Sequence, residues 1–153
     1  MLTTIVSEHR QVKRENKALA WAYASEIAAI LAIAETRRYF EILEKFAVAI
    51  EKTGQTQWFA VALSEKYKYT NVYENNASKV GQLPPEIAKD IVSFYTNTFS
   101  ILDDFQYLSS ASISHNSVQV SDCLRRHREL LQLMNQTKVL GQSIIQQVNE
   151  TFS

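Results

Sequence analysis

Residues 18–34 read ALAWAYASEIAAILAIA, and this stretch decides the fold. Leu19, Tyr23, Ile27, Ile30 and Ala34 recur every three or four residues, which is the period of one face of an α-helix. Eight alanines within the same stretch favour helix and let a neighbouring helix approach closely. Glu26 sits in the middle of the run, and Lys17 and Glu35 close it off. A membrane-spanning helix needs about 20 apolar residues, and a central carboxylate there is costly. The stretch therefore reads as a buried or half-buried helix of a folded domain. Glu26 stands one position off the Ile27 stripe, which assigns it to the solvated face.

The stripe is interrupted around Arg37 and Arg38, either of which is available for a buried ion pair, and resumes at Leu43, Phe46 and Ile50. Gly54 is a good residue to end it. The first helix is thus predicted over roughly residues 7–53. At 1.5 Å per residue such a helix would be about 68 Å long, so its basic N-terminal part, within residues 1–17, should project or bend.

Thr56 is placed to cap a short helix through Trp58, Phe59, Val61, Leu63 and Tyr67. Asn71 and Glu74 have the spacing of a capping box, and the second short helix they open should stop near Val80, with Gly81 as left-handed cap. Pro84 and Pro85 suit the first turn of a long helix to about Ser110, with Ile87, Ile91, Phe94, Tyr95, Thr98, Leu102 and Phe105 as its seam. A polar link over residues 109–117 leads to a last helix over about residues 118–151. Its seam is predicted from Val120, Leu124, Leu131, Met134, Gly141, Ile145, Val148 and Phe152. The expectation is an all-α antiparallel helical bundle, residues 1–153 in a single domain. Its first helix is long, and two short helices are inserted before the second long one.

Composition agrees with that reading. Three Gly and two Pro in 153 residues are far too few for the closely spaced turns of a β-sandwich or barrel. Hydrophobic residues at 46% and aromatics at 10% supply a globular core. Sixteen basic and sixteen acidic residues cancel, which speaks against a protein built to grip nucleic acid. Cys123 is the only cysteine, so no intrachain disulfide forms and the thiol reads as a small core residue. The first residues lack the apolar core of a signal peptide.

Chemical constellations do not emerge. His9, His115 and His127 are the only histidines, with no Glu-x-x-His and no paired Cys or His at zinc-binding spacing, so no metal is expected. Gly54, Gly81 and Gly141 are isolated, which excludes a phosphate-cradling loop and leaves no cofactor to expect. Gly141 reads as a close helix contact or a local weakness of the last helix. Asp103 and Asp104 are adjacent and diverge by about 100° on a helix, so they cannot share a proton as a catalytic dyad. Arg125, Arg126 and Arg128 read as a solvated face beside Asp122 and Glu129. No residue is assigned a catalytic role, and the protein is not expected to be an enzyme.

Two features point elsewhere. Arg10, Lys13, Arg14 and Lys17 form one basic ridge, suited to a partner or to an anionic membrane surface at about 1 kcal/mol per basic residue. The aromatics of the insert and the helix after it read first as core packing of the one against the other, with Trp58, Tyr73 and Tyr95 as candidates to line an aromatic ligand pocket as the alternative.

The run Asn71-Val72-Tyr73-Glu74-Asn75-Asn76 through Val80-Gly81-Gln82-Leu83-Pro84-Pro85-Glu86-Ile87, followed by Ile91-Val92-Ser93-Phe94-Tyr95, carries a resemblance. It resembles a diffuse group of uncharacterised bacterial proteins in which a vYeN…iG-Lp-elA…iv-fY pattern follows a long Ala- and Glu-rich helix. Ala18-Leu19-Ala20 and Ser25-Glu26-Ile27 fit that first helix. Members often carry a transmembrane segment ahead of it. The resemblance implies either a soluble relative or the soluble portion of an anchored protein. In the second case the basic ridge would be juxtamembrane and the domain cytoplasmic, at the inner face of a bacterial membrane. The leading expectation is a non-catalytic helical domain that binds a protein partner or assembles with itself. The alternative is a small-molecule sensor with the aromatic pocket.

Overall fold

The stripe that starts at residue 18 does not run on as one helix. The computed structural model describes residues 2–56, 69–113 and 119–153. In it α1 spans Leu2–Thr36 and α2 spans Tyr39–Thr53. The break falls where the apolar stripe is interrupted: Arg38 takes the left-handed conformation, φ 57°. Its guanidinium pairs with Glu41 in the first turn of α2, and both side chains are largely exposed. Among the described residues neither Arg37 nor Arg38 joins a buried ion pair, and both are exposed. The single helix expected over residues 7–53 is therefore corrected to two, because a left-handed residue cannot continue a right-handed ladder.

Gly54 ends α2 as expected, with φ 62° and its N–H on the Ile50 carbonyl. The short helix expected from Thr56 falls outside the described residues. After it, α3 covers Asn71–Asn76 and passes into a 3-10 helix over Ala77–Gln82, so Gly81 lies inside helical backbone and has no left-handed role. Helix α4 spans Pro85–Ile113, and the Ala88 N–H returns to the Pro84 carbonyl. Helix α5 spans Val120–Phe152. The polar link expected over residues 109–117 starts later, since Ser109 to Ile113 are still helical.

Among the described residues every regular element is helical, and the architecture is an all-α bundle. Helix α5 is its axis, packed against α1, α2 and α4. One core joins Tyr23 and Ile27 of α1, Ile87, Ile91, Phe94 and Tyr95 of α4, and Ile144 and Val148 of α5, with Val80 and Leu83 closing it. A second joins Leu43 of α2, Phe105 and Leu108 of α4, and Leu130 and Met134 of α5. As α1 gives way to α2, their partners on α5 move from 148 down to 130, so the broken first rod runs antiparallel to α5.

The α5 seam is displaced in part from the one expected. Its buried positions are Cys123, His127, Leu130, Met134, Thr137, Gly141, Ile144 and Val148, alternating four and three residues without a slip. That is a heptad seam. Val120, Leu124, Leu131 and Ile145 only flank it. Met134, Gly141 and Val148 lie on the seam as expected; where Leu or Ile stands next to a seam position, as Leu131 does to Leu130 and Ile145 to Ile144, the period alone does not choose between them. Thr137 satisfies its hydroxyl on the Leu133 carbonyl, and Thr98 of α4 does the same on Phe94.

Gly141 is where three helices cross. A Cβ there would lie 2.8 Å from Phe94 Cε2 and within 3.1 Å of atoms of Leu31 and Ile27. The Phe94 ring is fully buried and edge-on to Tyr95, so it has little room to yield. An exposed Gly→Ala change in a helix gains about 1 kcal/mol from propensity, whereas overpacking costs about 1–3 kcal/mol. Gly141→Ala is expected to lower the melting temperature and Gly141→Val to lower it further. A rise in melting temperature for Gly141→Ala would show that the crossing is loose.

Candidate functional site

Glu26 organises the upper half of the molecule. It does not point to solvent: its carboxylate accepts hydrogen bonds from the N–H of Val72 at 2.5 Å, the N–H of Tyr73 at 3.1 Å and the Tyr95 hydroxyl at 2.6 Å. The free N–H groups of a helix start attract negative charge. Here a neighbouring helix supplies it in place of a local cap. Thr70, not Asn71, occupies the N-cap position, and its hydroxyl donates to the Glu74 carboxylate at 2.8 Å instead of binding a backbone amide. The capping box expected from Asn71 and Glu74 is replaced by this long-range arrangement.

Three tyrosines close around Glu26. The Tyr73 and Tyr95 rings stack at 4.1 Å and 12°, and the Tyr23 hydroxyl donates to the Asn76 carbonyl at 2.8 Å. Burial, then the bond to Glu26, holds the Tyr95 hydroxyl protonated far above the ordinary tyrosine range. Burial, then Tyr73 and Glu26, pushes Tyr23 up to about 12. Both phenols act as fixed donors and not as bases. Tyr73 and Tyr95 follow the packing reading and not the ligand-pocket alternative with Trp58. They fill the space against each other, and Trp58 lies outside the described residues.

A cleft opens instead at the α1–α2 break. It has a volume of about 90 Å³ and is lined by Ile30, Leu31, Tyr39, Phe40, Tyr69, Phe94 and Met134 among others, with Lys138 the one charged residue among the described residues that line it. The Lys138 ammonium stands 5.5 Å from the centroid of Phe40. Drug-sized ligand sites begin at about 300 Å³. This one is the joint between the two cores.

Among the described residues the outward face of α1 has no helix packed on it. Ala18, Trp21, Ser25, Ala28, Ala29, Ala32 and Ile33 are exposed on it, Trp21 at 37% and Ile33 at 36%. Because Glu26 turns inward, this face shows no charge from residue 18 to residue 34. Arg10, Lys13, Arg14 and Lys17 precede it, all exposed, and among the described residues none of the four joins an ion pair. The Asn16 amide donates to the Gln82 carbonyl, and residues 6–15 before it are exposed. By length and composition Val6–Thr36 would reach across a bilayer, and only 22% of its most apolar window is buried.

The cluster at the start of α5 is structural. Arg125 pairs with Asp122 and Glu129, Arg128 reaches Glu51 of α2, and Arg126 lies over the Tyr107 ring of α4. These pairs are exposed and contribute little to stability. Cys123 and His127 are fully buried, with the thiol 3.9 Å from Nδ1 and Nδ1 itself 2.8 Å from the Cys123 carbonyl oxygen. An imidazole does stand beside the thiol, though neither is open to a substrate. Among the described residues no three His, Cys, Asp or Glu side chains converge on a metal position. No family model, curated protein or solved structure matches this chain.

Two measurements test this geometry. Glu26→Gln replaces one of the two accepting oxygens by an NH2 group, which sets it against the Val72 N–H or against the Tyr73 and Tyr95 donors, and should cost about 1–3 kcal/mol in urea unfolding. Tyr95→Phe leaves the α3 amides their acceptor and should cost less; equal losses would contradict the capping role. Burial lowers the His127 pKa, with the bond to the Cys123 carbonyl opposing it. Between the folded and unfolded values the unfolded chain binds more protons, so His127's contribution is full above about pH 6.5 and is lost as pH falls below it, by at most about 1.4 kcal/mol per pH unit. His127→Gln should flatten the stability profile from pH 7 to pH 5.5. An unchanged slope would assign the acid sensitivity elsewhere.

Proposed function

We propose that this chain is a non-catalytic helical domain that works by association, and that the outward face of α1 is its working surface. One observation carries the reading: a helix bound to the bundle along one side leaves a continuous uncharged strip, with an exposed tryptophan, along the other. Isolated exposed apolar residues are ordinary, but a contiguous strip marks an interaction site. The bundle supports the reading by keeping the titratable groups of its core engaged in internal bonds. The basic ridge beside the strip adds a site for an acidic partner or an anionic membrane surface, in keeping with a membrane-associated role. Against insertion across a bilayer stand Tyr23, Ile27 and Glu26, which bind α1 to α3, α4 and α5.

A second reading, a small-molecule sensor, moves from the tyrosines to the cleft at the α1–α2 break. The apolar lining favours it; the small volume does not.

Sedimentation of the chain, alone and with anionic vesicles, separates these readings. Association is expected as a rising sedimentation coefficient up to about 1 mM or as pelleting with vesicles, and Ala28→Glu should abolish it at unchanged melting temperature. A chain that stays monomeric, ignores vesicles and is stabilised by small apolar compounds would favour the sensor.

A further inference from the structure

We infer that the partner of this face is a second copy of the chain, bound antiparallel along α1 about a two-fold axis near Ser25; the inference rests on the association reading above. Successive face positions 18, 21, 25, 28 and 32 alternate three and four residues, which keeps a straight seam toward a facing helix. An antiparallel copy centred on Ser25 brings residue i opposite residue 50 − i. Trp21, the one large side chain at the middle of the face, then falls between Ala28 and Ala29 of the other copy, and Ala18 falls on Ala32. Trp21 thus meets only small residues, and Ala18 and Ser25 meet Ala32 and Ser25, so the small side chains leave the room that the tryptophan needs.

Charge decides the direction. Lys17 and Glu35 are eighteen residues apart, about five whole turns, so they share one edge of the face at its two ends. Among the described residues neither has an ion-pair partner. A two-fold axis keeps like edges together, so Lys17 of each copy comes beside Glu35 of the other, twice over. Arg14 comes opposite Thr36. Parallel pairing would instead set Arg10, Arg14 and Lys17 against their own copies. A bilayer surface would gather the basic end but bring Glu35 toward anionic lipid. About eight residues a side is well below the 20–30 of a standard interface, so the dimer should be weak.

Disulfide trapping reads the register directly. Ser25→Cys is expected to give a covalent dimer on mild oxidation, since the one native thiol, Cys123, is buried. Ala18→Cys should not cross-link to itself, because the two copies would lie about 21 Å apart along the axis, but mixed with Ala32→Cys it should form the heterodimer. Lys17→Glu and Glu35→Lys should each weaken dimerisation about tenfold in sedimentation equilibrium, and the double variant should restore it. Dimers in sedimentation that cross-link through Ala18→Cys alone would overturn the antiparallel register while leaving association intact. A monomer at all concentrations, with or without vesicle binding, would overturn the second copy as partner.

Discussion

The inward turn of Glu26 sets the character of α1. A carboxylate in the middle of an alanine-rich helix would ordinarily face water. Here three donors, two of them the free amides of α3, draw it toward the bundle. A charge that would have marked the open side becomes the fastening of the closed side. Helix α3, only six residues long, is too short to be stable by itself and gains its place from that fastening and from the Tyr73–Tyr95 stack. The face left outside is bare of charge as a consequence.

The rest of the bundle follows from α5. A heptad seam running from Cys123 to Val148 offers one straight edge to three helices, and Gly141 lets α1 and α4 meet over it at close range. Helix α1 covers the C-terminal half of that edge and α2 the N-terminal half. The left-handed Arg38 is the hinge between them, and the apolar cleft is the space the change of direction leaves behind. Thr137 and His127 sit on the seam at no cost in unmet hydrogen bonds, because carbonyls one turn back take them up.

Periodicity is the part of this fold that a sequence displays. The stripes of α1, α2 and α4, the Gly54 cap and the Pro85 start are legible because each is local. The Arg37–Arg38 gap was visible as an interruption, yet nothing local says that a backbone must reverse its handedness there. The inward turn of Glu26 is hidden for a similar reason: one helical position off a stripe is ambiguous by about 100°, and its partners lie 46, 47 and 69 residues away. Asn71 offered a good local cap, but a carboxylate from another helix outcompeted it. On α5 the sequence places Met134, Gly141 and Val148 on the seam, but Leu124, Leu131 and Ile145 stand one position beside buried Cys123, Leu130 and Ile144, and adjacent apolar residues do not say which of the two faces inward. The outward face of α1 was hidden in the same way. Alanine fits core and surface equally, so only the position of the bundle tells which alanines are open.

The central claim is that α1 is committed on one side and available on the other. Tryptophan emission reports it most directly, with Trp58→Phe leaving Trp21 as the only emitter. The account predicts a blue shift of Trp21 emission as concentration rises, with the same midpoint as the change in sedimentation. Emission that stays at one wavelength while the chain associates would place the contact elsewhere and contradict it.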